Sequence, residues 1–118
     1  IDAARRTLAC ATAHALYSLT LGAAVGAEPL DPRWSEIIAS ELEPELLIGD
    51  RTWIEGPAWD AQRRRLYFSD IPRNAVYAWS EAAGVQEYLP ASGWSGPGAF
   101  LGREPGSNGL LLDAAGRL

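Results

Sequence analysis

The stretch that decides the fold begins at Trp53. Residues 53–60 read Trp-Ile-Glu-Gly-Pro-Ala-Trp-Asp, and residues 65–79 read Arg-Leu-Tyr-Phe-Ser-Asp-Ile-Pro-Arg-Asn-Ala-Val-Tyr-Ala-Trp. Glu55 is an acid among apolar and aromatic residues. The Gly-Pro pair behind it favours a bend, because glycine permits unusual dihedrals and proline fixes φ and has no N–H. A carboxylate in such a setting is costly to bury unless a proton, a cation or a hydrogen-bond donor compensates it.

Short strand patterns recur from Trp53 onward and predict an all-β fold. The predicted strands cover residues 65–69, 75–80, 85–89 and 110–113, with polar turns between the first three and a Gly-, Pro- and Ser-rich loop over 90–106. This spacing is typical of an antiparallel meander. One strand–turn–strand module is followed by the opening of a second, which is the pattern of a repeat architecture.

The N-terminal residues 1–27 have the pattern of a signal peptide. Arg5 and Arg6 supply positive charge, residues 8–25 are apolar and rich in small residues, and small residues precede Glu28 where a signal peptidase would cut. The alternative is an amphipathic N-terminal helix of the folded protein. The signal peptide predicts a secreted or periplasmic protein with no stable membrane association after cleavage.

Residues 28–44 form a predicted lead-in to the sheet. We expect a short helix over residues 35–42, ended by Pro44, and then an apolar strand over residues 45–49. The chain of 118 residues contains no Met and stops where a strand is predicted to start. We therefore expect an N-terminal fragment of a larger protein, one that neither folds stably nor acts alone.

Composition argues against several classes of function. The net charge of −5 disfavours a nucleic-acid partner, because phosphate binding needs a basic patch. The single cysteine, Cys10, cannot form an internal disulfide. The single histidine, His14, lies in the predicted signal peptide, so no Ser–His–Asp triad is available in the mature part.

Three ordered motifs resemble the SMP-30/gluconolactonase family, and most closely its bacterial gluconolactonases. They lie at residues 53–59, 66–79 and 104–118, and the resemblance covers about residues 45–118. It implies a six-bladed β-propeller in the complete protein, of which this chain holds about the first blade and the start of the second. It also implies an enzyme that hydrolyses the ester bond of a sugar lactone with the help of a divalent metal ion.

The resemblance assigns roles to individual residues. Glu55 matches a metal-ligating glutamate in the Glu-Gly-Pro motif, and Asn108 matches an asparagine near the substrate and metal in the Ser-Asn-Gly motif. Calcium is the expected ion, with zinc, manganese and magnesium as alternatives, since hard cations prefer carboxylate and amide oxygens. The other ligands and the general base are expected beyond Leu118. Gly106 stands where related members carry a substrate-binding arginine.

The implied chemistry is metal-assisted ester hydrolysis. The cation would polarise the lactone carbonyl and stabilise the oxyanion, while a carboxylate would activate water. Two alternatives stay open: a non-catalytic propeller that serves as a binding scaffold, and a related propeller hydrolase acting on other esters or organophosphates.

Each candidate residue also has a purely structural interpretation. Glu55 could cap a turn or pair with Arg51. Asn108 could form a plain Asn-Gly turn, and Asp70 is interpreted as a turn former that accepts backbone hydrogen bonds.

Overall fold

In a computed structural model of the protein, residues 7–11, 16–21, 31–33 and 42–118 are described. These ranges contain seven strands: β1 Thr7–Ala11, β2 Leu16–Leu21, β3 Leu42–Ile48, β4 Ile54–Asp60, β5 Arg65–Asp70, β6 Ala75–Ser80 and β7 Gly84–Pro90. The described part of the chain contains no helix, which confirms the predicted all-β class. Within it, accordingly, no helix is long and apolar enough to cross a membrane.

The first sheet has three antiparallel strands in the order β1-β2-β3. Strands β1 and β2 lie within residues 1–27, whose cleavage as a signal peptide stays a prediction. The predicted helix over residues 35–42 falls outside the described residues except at its end, where Leu42 opens β3. Pro44 therefore lies inside a strand. It is tolerated there because β3 is an edge strand, where a missing N–H need not break the ladder.

The second sheet is a four-stranded antiparallel meander in the order β4-β5-β6-β7. Its last three strands match the strands predicted at residues 65–69, 75–80 and 85–89. The β4–β5 and β5–β6 turns end at Arg64 (φ 52°) and Asn74 (φ 54°) in the left-handed region. Asparagine enters that region more readily than most residues, so Asn74 suits the turn it closes. A short four-stranded meander of this kind is the unit of a propeller blade.

Each face of this sheet carries its own apolar cluster. On one face Leu66 and Phe68 pack with Ile54 of β4 and with Ile48 of β3. On the other face the cluster comprises Tyr67, Val76 and Ala78, against which Leu110 and Leu112 pack. Alternation along β5 places neighbouring residues on opposite faces, which is why one strand serves both clusters.

The strand predicted at residues 110–113 is absent from the structure. Leu110 and Leu112 instead cover the face of the sheet with their side chains. The apolar pattern predicts a strand here. This prediction is wrong, because among the described residues no strand lies alongside to form a ladder.

Candidate functional site

A bulge in β4 places Glu55 at the entry to the sheet. Glu55 pairs with Ser69 of β5, but Ala58 pairs with Tyr67, so β4 contains one extra residue between the two pairs. Gly56 occupies the left-handed region with φ 63°, the conformation required at the first position of this bulge type. Pro57 follows in the unpaired part, where its missing N–H costs no ladder hydrogen bond.

Ser69 connects Glu55 to the Asn108 segment. Directly paired residues of antiparallel strands place their side chains on the same face, so Glu55 and Ser69 share one face of the sheet. Ser69 is fully buried. Its hydroxyl donates to the backbone carbonyl of Asn108 at 2.7 Å and lies 3.0 Å from the hydroxyl of Ser107. No sequence motif singles out Ser69, although its position two residues after Tyr67 places it on the same inward face.

The backbone of residues 108–110 packs directly on Gly56. A Cβ atom at Gly56 would lie 2.7 Å from Leu110 N, 2.8 Å from Gly109 Cα and 3.0 Å from Asn108 O. Only a glycine leaves room for this approach, because Cβ atoms essentially never come closer than 3.0 Å to backbone atoms. The Glu-Gly-Pro and Ser-Asn-Gly motifs, widely separated in sequence, are therefore in backbone contact.

The long loop after β7 is anchored to the β5–β6 turn by Asn74. The Asn74 side chain donates to Trp94 O at 2.7 Å and accepts from Gly93 N at 2.9 Å. Ile71 O, in the same turn, accepts from both Asn74 N and Gly106 N at 3.0 Å. The residues predicted as a Gly- and Pro-rich loop therefore follow a path fixed by hydrogen bonds to the sheet end.

Gly106 has no space for a side chain. A Cβ atom there would lie 2.7 Å from Ile71 O and 2.9 Å from Ile71 Cα. The position at which related members carry an arginine is thus occupied by a backbone-to-backbone contact in this chain.

Asp70, next to Ser69, is a buried charge held by arginines. It is fully buried, and its Oδ2 lies 3.3 Å from Arg73 Nη1 and 3.6 Å from Arg51 Nη1. The Arg51 guanidinium also stands 4.6 Å from the centroid of the Tyr77 ring. The interpretation of Asp70 as an acceptor of backbone hydrogen bonds is therefore wrong: its Oδ2 faces guanidinium groups, and its buried Oδ1 has no partner within the described ranges.

The structure brings Glu55 and Asn108 to the same end of the second sheet. Glu55 is half-buried and Asn108 is exposed. No hydrogen bond or ion pair joins the Glu55 carboxylate to another residue in the part of the chain that is described. The alternative in which Glu55 pairs with Arg51 is not seen, since Arg51 faces Asp70 and Tyr77. Across the described residues, no group of three or more His, Cys, Asp or Glu side chains could hold a metal ion.

The opposite end of the sheet has a different character. An open groove of about 520 Å³ lies between the β4–β5 and β6–β7 turns, and includes neither Glu55 nor Asn108. Beside it, the buried Asp60 accepts hydrogen bonds from the Arg63 guanidinium at 2.8 Å and from two backbone N–H groups. The Arg63 guanidinium holds the pKa of Asp60 below its usual value. This end is built around a charged turn that stabilises the hairpin.

A similar acid turn recurs at Asp113. Its carboxylate accepts from Ala115 N and Arg117 N, both at 2.9 Å, and from Arg117 Nε at 2.7 Å. The Arg117 backbone and side chain lower the pKa of Asp113. Arg63 also donates to Gly116 O at 3.3 Å, which joins the two turns. The turn at Asp113 thus repeats the pairing of an aspartate with a following arginine that is seen at Asp60.

The chain is similar in sequence to a known protein family and to a curated protein. Residues 53–117 match the family model described as SMP-30/Gluconolactonase/LRE-like region. A gluconolactonase from Zymomonas mobilis subsp. mobilis is 38% identical over 90 residues, which cover 74% of this chain and 25% of that protein. The chain therefore spans about a quarter of the length of this curated relative. No solved structure matches the chain. On its matched motifs and its meander sheet, this chain belongs to the SMP-30/gluconolactonase family, whose fold is a β-propeller.

Proposed function

We propose that the protein containing this chain is a metal-dependent lactonase that hydrolyses the ester bond of a sugar lactone. One observation carries the proposal: in a member of this family, the half-buried Glu55 carboxylate has no partner among the described residues and shares a sheet face with the Asn108 segment. The curated relative named gluconolactonase, at 38% identity, supports the class of substrate. Because the chain covers a quarter of that relative, the proposal concerns the whole protein and not this segment alone.

Glu55 fits the role of a ligand to a hard divalent cation. A half-buried carboxylate without a protein donor keeps its oxygens available to a cation, and calcium prefers carboxylate and carbonyl oxygens. We take calcium as the first candidate, with zinc, manganese and magnesium as alternatives. When bound, the ion would supply a Lewis acid for the lactone carbonyl. Since the described residues hold no cluster of three or more ligating side chains, further ligands must come from elsewhere in the protein.

Two residues of this chain would bind the metal ion and orient the substrate. Glu55 lies next to a bulge in β4, and its backbone is paired with Ser69 of β5. The exposed Asn108 side chain offers an amide that can donate to and accept from sugar hydroxyl groups, while its backbone carbonyl is held by Ser69. We assign Asn108 to substrate contact and leave the general base to residues after Leu118.

We also propose that the protein is exported. The positive and apolar pattern of residues 1–27, followed by small residues, supports a cleaved signal peptide and a secreted or periplasmic location. The net charge of −5 supports a small-molecule substrate over a nucleic acid. The mass of the mature N-terminus, measured on protein recovered from the native host, tests this point: an N-terminus at Glu28 is expected, and an uncleaved chain in the cytoplasm would contradict export.

The test of activity uses the full-length protein that contains this chain. Hydrolysis of glucono-δ-lactone is followed with and without a chelator, for wild type, Glu55→Gln and Glu87→Gln. Glu87 is a matched control, because it is an exposed glutamate on β7 of the same sheet. We expect chelator-sensitive turnover that Glu55→Gln reduces at least a hundredfold and that Glu87→Gln leaves within twofold of wild type.

The outcomes separate the alternatives. Turnover that responds to neither chelator nor Glu55→Gln would move the active site away from Glu55. Hydrolysis of other esters or of organophosphates, without lactone turnover, would favour a related propeller hydrolase. No turnover of any ester would favour a non-catalytic propeller that acts as a binding scaffold.

A further inference from the structure

We propose that Ser69 is a positioning residue, which fixes the Asn108 segment onto the strand pair that carries Glu55. This inference rests on the proposed function for its catalytic consequence, and on the geometry alone for its structural one. Ser69 pairs directly with Glu55 across β4 and β5, and its hydroxyl reaches the carbonyl of Asn108.

The hydroxyl of Ser69 has one proton, which settles the direction of its hydrogen bonds. A carbonyl oxygen can only accept, so the 2.7 Å contact to Asn108 O uses the Ser69 proton. The 3.0 Å contact between the Ser69 and Ser107 hydroxyls must then be donated by Ser107. The result is a directed chain from Ser107 through Ser69 to the Asn108 carbonyl, in which each hydroxyl polarises the next.

The Ser69 hydroxyl is buried, and this makes it costly to replace. Ser69 is fully buried, and its proton is used by the Asn108 carbonyl, so removing the hydroxyl takes away a donor supplied from inside the sheet. On the same sheet end, Ser107 N donates to Ser92 Oγ at 3.1 Å, which holds the segment from its outer side. Gly56 allows the backbones to touch, and Ser69 fixes where they touch.

Loss of the Ser69 hydroxyl should affect the proposed roles of Glu55 and Asn108 differently. Glu55 belongs to the ladder of β4 and β5, and its position does not depend on the Ser69 hydroxyl. Asn108 lies outside any strand, and its carbonyl is held by that hydroxyl. Removing the hydroxyl should therefore displace the substrate-contacting residue and leave the metal ligand in place.

The test compares Ser69→Ala, Ser69→Cys and Ser80→Ala in the full-length protein. Alanine leaves the γ position empty, whereas cysteine fills it with a larger atom that donates only weakly, so an effect common to both variants reports the lost hydrogen bond and not the packing. Ser80 is the matched control, because its hydroxyl also accepts a hydrogen bond in the same sheet, from Ala83 N at 3.3 Å, but at the far end of β6. Amide hydrogen exchange is measured by mass spectrometry, together with the Kd for calcium and the KM for glucono-δ-lactone.

We expect the amides of residues 107–110 to exchange about five times faster in both Ser69 variants, with those of β5 and β6 within twofold of wild type. KM should rise about fivefold or more while the Kd for calcium stays within twofold, and Ser80→Ala should change none of these. Wild-type exchange at residues 107–110 would overturn the proposal. So would uniform acceleration across β5 and β6, because that result would make Ser69 a general packing residue.

The two proposals fail separately. If wild type hydrolyses no lactone but the Ser69 variants accelerate exchange only at residues 107–110, Ser69 positions Asn108 and the lactonase proposal is wrong. If wild type is an active lactonase and the Ser69 variants show wild-type exchange and KM, the lactonase proposal stands and the positioning role is wrong.

Discussion

The Ser69 hydroxyl donates a 2.7 Å hydrogen bond to the backbone carbonyl of Asn108, 39 residues further along the chain. This bond links β5 of the meander to a segment with no regular secondary structure. Because Ser69 is also the direct partner of Glu55, it places two motifs that are remote in sequence at one end of the sheet.

Gly56→Ala should lower the unfolding free energy by more than the left-handed backbone conformation of residue 56 alone explains. Gly84 has nearly the same dihedral (φ 64° against 63°), but a Cβ atom there meets nothing within 4 Å. Gly84→Ala should therefore lose only about 1 kcal/mol of unfolding free energy, the usual cost of a left-handed alanine. At Gly56 the Cβ would also meet the backbone of residues 108–110.

We expect Gly56→Ala to lose at least about 1 kcal/mol more than Gly84→Ala, since the new Cβ forces overpacking against backbone. Urea unfolding of the full-length protein measures the difference, and lactone KM measures its effect on the site. Equal losses of stability in the two variants would contradict the close approach of the Asn108 segment.

Arg51 should contribute more to stability than Arg73, although both face the buried Asp70. The Arg51 side chain is 13% exposed and the Arg73 side chain is 44% exposed. Arg51→Gln should cost about 3 kcal/mol, because it removes the shielded partner of a buried charge. Arg73→Gln should cost under about 1 kcal/mol, since solvent screens that pair. Denaturant unfolding of both variants measures the contrast, and a larger loss in Arg73→Gln would reverse the assignment.

The stabilisation that Asp60 contributes should be lost in acid. Arg63 and two backbone N–H groups favour the charged carboxylate, so the pKa of Asp60 is lower in the folded than in the unfolded state. The unfolded state then takes up the proton first, and the stabilisation, fully present above the ordinary pKa of about 4, is lost as pH falls through the folded value. At pH 7, Asp60→Asn should lower Tm by about 5 °C.

The Tm gap between wild type and Asp60→Asn should therefore narrow between pH 5 and pH 3. Arg63→Gln removes the main cause of the pKa shift of Asp60. The difference in Tm between wild type and Arg63→Gln should therefore also narrow as the pH falls. Thermal unfolding of the full-length protein across this range measures both. A gap that widens on acidification would show that the folded pKa of Asp60 is raised.

The sequence predicts the meander well and the site poorly, for a physical reason. Strands β5, β6 and β7 follow from local alternation and from turn residues such as Asn74, which act within a few positions. The anchoring of the Asn108 segment depends on contacts between residues far apart in the chain, such as Gly106 with Ile71. Local patterns contain no information about those contacts. They therefore do not indicate the role of Ser69, and the strand that they predict at residues 110–113 is wrong.

The family motifs identify site residues that local patterns do not. The resemblance named Glu55 and Asn108, and the structure brings their segments together through Ser69 and Gly56. Residue chemistry alone favoured a structural role for both. Their roles as metal ligand and substrate contact stay predictions, which the experiments on Glu55 and Ser69 address.

Gly106→Arg should weaken lactone binding, although it restores an arginine that related family members carry. The new side chain would begin at a Cβ 2.7 Å from Ile71 O, so the β5–β6 turn or the loop must move. Moving either breaks the hydrogen bond from Gly106 N to Ile71 O and displaces Ser107 and Asn108. We expect KM to rise at least fivefold, because loss of one buried hydrogen bond alone is worth about 1 kcal/mol. Gly109→Ala, in the same segment with open space at its Cβ, should keep the wild-type unfolding free energy within about 0.5 kcal/mol. A lower KM in Gly106→Arg would mean that the loop can yield at residue 106 and that the arginine subsite is latent in this chain.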